Sequence, residues 1–384
     1  MALRVVFDVR HIRDFGIGTY IRNLIAALGE IDRESHYILT ALPDDVEEFS
    51  QLPSNFETVA YTHRDAERID HVAYPWFVRG FVANLIHIPL NTVPLLLPKP
   101  YVVTIHDMSR LLFGQRLQGG WRENAQLYRV RRGLMRADQL IAVSDATRRD
   151  AENLLGIPAK RIRLIYSAPD PRFLAARDSN TEEEKRRVLE RYQIEYPFLL
   201  YTGRIQRHKN VPRLIEAFAV VRGELESHPQ YKDLRLIIIG DEISKHPEVR
   251  RAVVKTRMEQ AVRFLGFLPF DTLKIFYTAA SAFVFPSLYE GFGLPPLEAM
   301  ASGTPVVTTG VSSLPEAVGN AAALVNPENV FDMARGIKEV LVDEELRRTL
   351  IRRGYDRLTH FSWRNTAERV LGVYRDVARA SGNK

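Results

Sequence analysis

AFVFPSLYEGFGLPPLEAMASGTPVV, residues 282–307, holds a strand, a corner, a helix and a second strand in one short segment. The aromatic and β-branched run AFVFPS has the length of a buried strand. Pro286 to Gly293 form the corner. Pro295 and Pro296 suit a first helical turn, LPPLEAMASG reads as a helix, and Gly303 ends it. TPVVTT then resumes a strand. Strand, helix and strand in such short compass is the unit of a parallel sheet. Glu290 and Glu298 bracket the corner, toward which the helix directs the positive end of its dipole.

The same alternation runs outward in both directions. LRVVFDV, HYILTAL, FETVAY, ANLIHI, YVVTIHD, QLIAVSD and RIRLIY fill the first half, with helical stretches between them. FLLYTG, LRLIIIGD, VRFLG, AFVFPS, TPVVTT and AALVNP fill the second. Between residues 170 and 195 the apolar runs stop and charge accumulates in NTEEEKRRVLERYQ. The expectation is an α/β protein of two doubly wound domains, residues 1–175 and 176–361. Ligands of such sheets bind beyond the carboxyl ends of the strands, so two facing domains predict a cleft.

A chain of 384 residues is long enough for two cores, and 46% hydrophobic with 26% charged residues is an ordinary globular composition. Arg4, Asp8 and Arg10 interrupt what would be the apolar segment of a leader, and no apolar run reaches membrane-spanning length. Without cysteine there is no disulfide or thiolate site. The expected location is therefore cytoplasmic. The net charge is +6, and Arg122, Arg129, Arg131, Arg132 and Arg136 crowd RENAQLYRVRRGLMRAD. Two readings stand for that helix: a solvated face, or a surface for anionic membrane or a lipid phosphate. No zinc-finger, basic-zipper or aromatic-studded basic pattern accompanies it, so nucleic acid is not an expected partner.

Candidate chemistry sits at strand ends. DVRHIRDFGIGTY places Gly16 and Gly18 before a helix, where a phosphate or sugar can approach the backbone. Ile21 occupies the position of the third glycine of a dinucleotide fingerprint, so a plain turn is the other reading. His106 and Asp107 end YVVTIHD, His106 either facing a sugar or serving as a structural histidine. Ser144 and Asp145 read as a helix N-cap. Gly203, Arg204 and Lys209 lie in the loop after FLLYTG, and Asn210 opens the next helix. A guanidinium and an ammonium in one loop can neutralise a diphosphate as it departs. At the corner, the amides near Gly291, Phe292, Gly293 and Leu294 suit a phosphate. If both were helical, Glu290 and Glu298 would stand about 12 Å apart, too far for a retaining glycosidase's acid and nucleophile pair. Two carboxylates instead gripping the two hydroxyl-rich ends of one ligand, with a diphosphate between them, fit a nucleotide sugar. No Asp-x-Asp, HExxH or histidine cluster suggests a metal or other cofactor.

The assembled pattern resembles the retaining glycosyltransferases of the GT-B fold, in the large family with a glutamate, seven residues, glutamate signature. EGFGLPPLEAMASGTPVV carries the likeness, followed by SSLPEAVGNAAALVNPEN. The resemblance spans nearly the whole chain and implies catalytic roles for His106, Arg204, Lys209 and Glu290. Arg204 and Lys209 correspond to its phosphate-binding pair, Glu290 to its sugar contact, Glu298 to its ribose contact, and Gly16 and Gly18 to its glycine-rich loop. Gly203, Gly291, Phe292, Gly293 and Leu294 complete the donor site it implies, with backbone contacts to the base at Phe267 and Leu268. It also implies that FSWRNTAERVLGVYRDV, in a closing helix over 362–384, returns to the first domain. SAPDPRF departs from the family, with Ser167 and Ala168 where Asn-Gly is common.

The implied activity is transfer of a hexose from GDP-mannose or a UDP-sugar to a glycan or lipid-linked acceptor hydroxyl, with retention, without metal, in polysaccharide assembly. The second domain would hold the donor and the first the acceptor, with association at the inner membrane surface. An epimerase or phosphorylase on the same fold, or a nucleotide-sugar-binding protein without turnover, are the other readings.

Overall fold

The computed structural model describes residues 2–65, 67, 69–113, 121–174 and 182–382, with the backbone alone for 121–126. The chain divides into two compact units, Met1–Ser167 with Phe361–Lys384, and Ala168–His360. The division falls at 167/168 and not at 175. Phe173 belongs to the second unit because its ring packs at 4.9 Å on Phe270 and 5.2 Å on Tyr277.

In the first unit, β1 (Arg4–Asp8), β2 (His36–Ala41), β3 (Phe56–Ala60), β4 (Leu85–Ile88), β5 (Tyr101–Ile105), β6 (Gln139–Ala142) and β7 (Ile162–Leu164) form a seven-stranded sheet. Its order is β3-β2-β1-β4-β5-β6-β7, with every pairing parallel. Val5, Val6 and Phe7 are all buried because helices cover both faces, which is why such strands read as continuous apolar runs. The closing helix Trp363–Gly382 belongs to this unit. Its Tyr374 hydroxyl meets Nδ1 of the buried His87 at 2.5 Å, and Thr366 donates to the Tyr166 carbonyl at 2.7 Å.

The second unit contains β8 (Phe198–Gly203), β9 (Arg235–Gly240), β10 (Val262–Gly266), β11 (Ala282–Phe285), β12 (Val306–Thr309) and β13 (Ala322–Val325). Their order is β10-β9-β8-β11-β12-β13, again parallel. Every apolar run quoted above is a strand. Each sheet reverses its winding once, at β1/β4 in the first and at β8/β11 in the second. Beside such a switch point, loops leave in opposite directions and open a crevice at the strands' carboxyl ends.

Candidate active site

The loops leaving β8 and β11 carry Lys209 and Glu290. The Lys209 ammonium donates to both carboxylate oxygens of Glu290, at 2.6 and 2.8 Å, and both side chains are largely buried, 17% and 11% exposed. Asn210 locks these loops together. It stands at the N-cap position of helix Val211–Glu224 in the left-handed conformation, φ 61°. Instead of capping that helix, its side-chain amide donates to the Pro286 carbonyl at 3.1 Å and the Pro327 carbonyl at 2.8 Å. Leu288 N–H also donates to the His208 carbonyl at 2.7 Å. The corner is braced from its other side: Ser312 and Ser313 hydroxyls donate to the Glu290 carbonyl at 2.7 and 2.9 Å.

Gly203 has φ 137°, a conformation closed to side chains, and turns the chain toward Arg204. Arg204 is exposed, and its carbonyl accepts the Tyr201 hydroxyl at 3.1 Å. Asp241, at the end of β9, accepts the Ile205 N–H at 2.7 Å. Gly293, φ 104°, introduces helix Leu294–Ala301. Pro295 and Pro296 lack N–H groups, so first-turn donors come from Leu294 and the glycine before it rather than from a full set of amides. Gly291 and Phe292 are buried in the corner.

Glu298 lies on that helix, half-buried, and Oε2 accepts the Tyr277 hydroxyl at 3.1 Å. Burial pushes this carboxyl up to about 7. Glu290 is in the corner and not in the helix, so the two carboxylates leave different elements. Phe267 and Leu268 follow β10 at the sheet edge, Phe267 75% exposed and Leu268 buried.

In the first unit, Gly16 and Gly18 lie inside the first turns of helix Phe15–Ile31 and not in a loop before it. A Cβ on Gly18 would collide with the Ile12 carbonyl oxygen. The close approach there is made by this chain's own backbone; Gly16 is exposed. His106 follows β5, its ring edge-on to Tyr20 at 4.7 Å. Burial lowers it to about 4, so the imidazole is neutral, and Nε2 is enclosed without a hydrogen-bond partner among the described residues. Asp107 accepts from the Ser109 amide at 2.8 Å and from its hydroxyl. Ser144 caps helix Asp145–Leu155, accepting from Thr147 N–H at 3.0 Å. In helix Trp121–Arg136, Arg131 and Arg136 donate to the carbonyls of Leu155 and Leu95, while Arg129 and Arg132 are exposed. The Arg122 side chain lies outside the described residues.

Residues 182–357 match the family model "Glycosyl transferases group 1", and residues 16–173 match "Glycosyltransferase Family 4". The O-antigen chain mannosyltransferase B of Escherichia coli is 30% identical over 301 residues, covering 78% of this chain and 76% of that protein. The chain belongs to the group 1 glycosyl transferases. A D-inositol 3-phosphate glycosyltransferase of Acidothermus cellulolyticus is 34% identical over 248 residues, 63% of this chain and 54% of the relative. The serotype-specific mannosyltransferase WbdA of Escherichia coli is 29% identical over 302 residues, and there this chain spans 35% of the relative's length. Among solved structures, sucrose-phosphate synthase from Thermosynechococcus elongatus superposes with a TM-score of 0.77 at 22% identity, over 98% of this chain and 100% of the other. Anabaena HepE, solved in complex with UDP-glucose, gives 0.77 at 18% identity, over 97% and 100%. These likenesses establish the GT-B fold with its two Rossmann-like domains.

In this glycosyl transferase, the sequence-predicted residues Gly203, Arg204, Lys209, Glu290, Gly291, Phe292, Gly293, Leu294 and Glu298 all lie on the second unit, in the β8 loop, the β11 corner or the helix behind it. Sequence reasoning did not foresee the Lys209–Glu290 pair, the two carbonyls held by Asn210, or Tyr277. It also missed a buried network at the end of β1, where Arg10 joins Asp8 at 2.8 Å and Asp70 at 2.8 Å under the rings of Tyr61 and Tyr74. A signal for that network existed: Asp8 and Arg10, a carboxylate and a guanidinium two residues apart where the apolar run Val5–Phe7 leaves β1. Among the described residues, no group of three or more His, Asp or Glu side chains is disposed to hold a metal ion, and no helix is long and apolar enough to cross a membrane.

Proposed function

We propose that this glycosyl transferase moves a hexose from a nucleotide diphosphosugar to a hydroxyl of a glycan or lipid-linked acceptor, with retention at the anomeric carbon and without a metal ion or other cofactor. The observation that carries the reading is the Lys209–Glu290 pair at the β8/β11 switch point. A buried cation held by a carboxylate is a site prepared for exchange: a diphosphate offers Lys209 more negative charge, and the released carboxylate then accepts sugar hydroxyls. Arg204, entering from the same loop, shares the diphosphate. The amides of Gly293 and Leu294 and the helix dipole behind them add to this field.

In the transfer, the bond from the anomeric carbon to the β-phosphate oxygen breaks and the acceptor oxygen takes its place on the same face. The acceptor's proton passes to the departing phosphate oxygen. Glu298 accepts hydroxyls of the nucleotide's ribose, and backbone at Phe267 and Leu268 meets the base. The first domain binds the acceptor, and there His106, neutral and with Nε2 unpartnered among the described residues, meets a sugar hydroxyl. A mannosyl donor with GDP is favoured by the relatedness to mannosyltransferases, and a UDP-sugar is the other donor to try. Exposed Leu127, Tyr128, Arg129 and Arg132 on one helix supply a face for the cytoplasmic side of the inner membrane, where lipid-linked acceptors reside.

The test is product analysis with GDP-mannose and UDP-glucose, with and without acceptor, in EDTA. The reading expects acceptor-dependent product of unchanged anomeric configuration, undiminished by the chelator. Inverted product, or a strict requirement for Mg²⁺ or Mn²⁺, contradicts it. An epimerised or phosphorolysed donor without acceptor points to the other enzymes of this fold.

A further inference from the structure

We propose that Tyr277 positions the nucleotide-binding carboxylate: its hydroxyl holds Glu298 in the orientation that accepts the ribose hydroxyls. The inference rests on the reading of Glu298 as the ribose contact. Tyr277 lies on helix Phe270–Ala279, fully buried. Its hydroxyl stands 3.1 Å from Glu298 Oε2 and 2.6 Å from Thr202 Oγ1. A phenol has one proton to give. The carboxylate takes it, so Thr202 donates in turn, and a directed chain runs from the end of β8 through Tyr277 to helix Leu294–Ala301. The ring is held from several sides, at 5.2 Å by Phe173 and 5.3 Å by Phe283, and the Thr304 hydroxyl donates to its carbonyl. A carboxylate bonded to so fixed a donor loses little freedom when a ligand arrives.

The charged groups facing Glu298 are Asp170 and Arg172. Arg172 holds Asp170 through bonds of 3.0 and 2.7 Å and lies 3.7 Å above the Phe270 ring, so the two largely offset one another. Burial raises Glu298 to about 7, the Tyr277 bond opposes that rise, Asp170 adds to it and Arg172 opposes it. Burial also lifts Tyr277 well above 10, so it stays a donor at working pH. Ribose hydroxyls bind an ionised carboxylate better than a protonated one, so nucleotide affinity falls as pH drops through about 7. Removing the phenol destabilises the ionised form and moves that midpoint upward.

The experiment is calorimetric titration with GDP and with UDP between pH 5.5 and 8.5, alongside steady-state kinetics. Glu298→Gln supplies the baseline, because the terminal phosphate of either nucleotide titrates in the same range. Tyr277→Phe is expected to raise Kd about tenfold at pH 7, to act on KM more than on kcat, and to shift the pH midpoint upward. Thr202→Val should do the same to a smaller extent, and it decides the matter if Tyr277→Phe does not fold. A midpoint and Kd like wild type in these variants, with Glu298→Gln still weakening binding, overturns the positioning role and leaves the ribose contact standing. Unchanged affinity and pH dependence in Glu298→Gln overturns the ribose contact and the proposal with it.

Discussion

Glu290 and Lys209 each stood out in the sequence by residue type and place, but 81 positions separate them, and no local pattern encodes their pairing. It follows from the winding of the sheet, which sets the β8 and β11 loops side by side. The pair has a consequence that separate roles would not predict. In the proposed reaction, an arriving diphosphate competes with Glu290 for Lys209. Glu290→Gln should therefore lower kcat/KM for sugar transfer by at least about tenfold, roughly the 1.4 kcal/mol of one charge-assisted hydrogen bond. Affinity for the free nucleoside diphosphate should meanwhile hold or improve. Weakened nucleotide binding with unchanged transfer, measured by calorimetry and initial rates, would contradict this.

At the scale of elements, alternation of apolar runs was sufficient to locate the strands, because strands buried on both faces need continuous apolar sequence. Loop conformation was less legible. Asn210 reads as a helix cap, yet its positive φ turns the side chain to two carbonyls of other loops. Gly18 reads as a ligand loop, yet it accommodates the Ile12 carbonyl. Side-chain targets beyond the next few residues depend on tertiary placement, which residue type alone does not carry. Asn210→Ala removes both donors and leaves two buried carbonyls short of a partner. It should cost about 1–3 kcal/mol in denaturant unfolding and loosen nucleotide binding. A change within about 0.5 kcal/mol would show that the two loops do not depend on this amide.

At the scale of the whole molecule, the return of the last helix to the first unit ties the two ends of the chain to one core. The tie includes a titratable group. His87 is buried between Tyr374 and Thr104, and burial, with His106 nearby, lowers it to about 3. In the unfolded chain it takes up a proton near pH 6.5, so its folded pKa is the depressed one. Stability is complete above about 6.5 and falls with pH between there and about 3, where only the unfolded chain is protonated at this site. Unfolding at pH 7, 6 and 5 should show a slope that His87→Gln diminishes. Equal slopes in the two proteins would show that the histidine does not titrate on unfolding.

The central claim is that the cations of the β8 loop receive the departing diphosphate, and the turnover of Lys209→Ala and Arg204→Ala with saturating donor and acceptor tests it most directly. If each supplies an oxyanion-type contact of roughly 3 kcal/mol, kcat falls at least about 100-fold in each variant. Turnover near that of the unaltered protein in both would place the leaving group elsewhere and contradict the account.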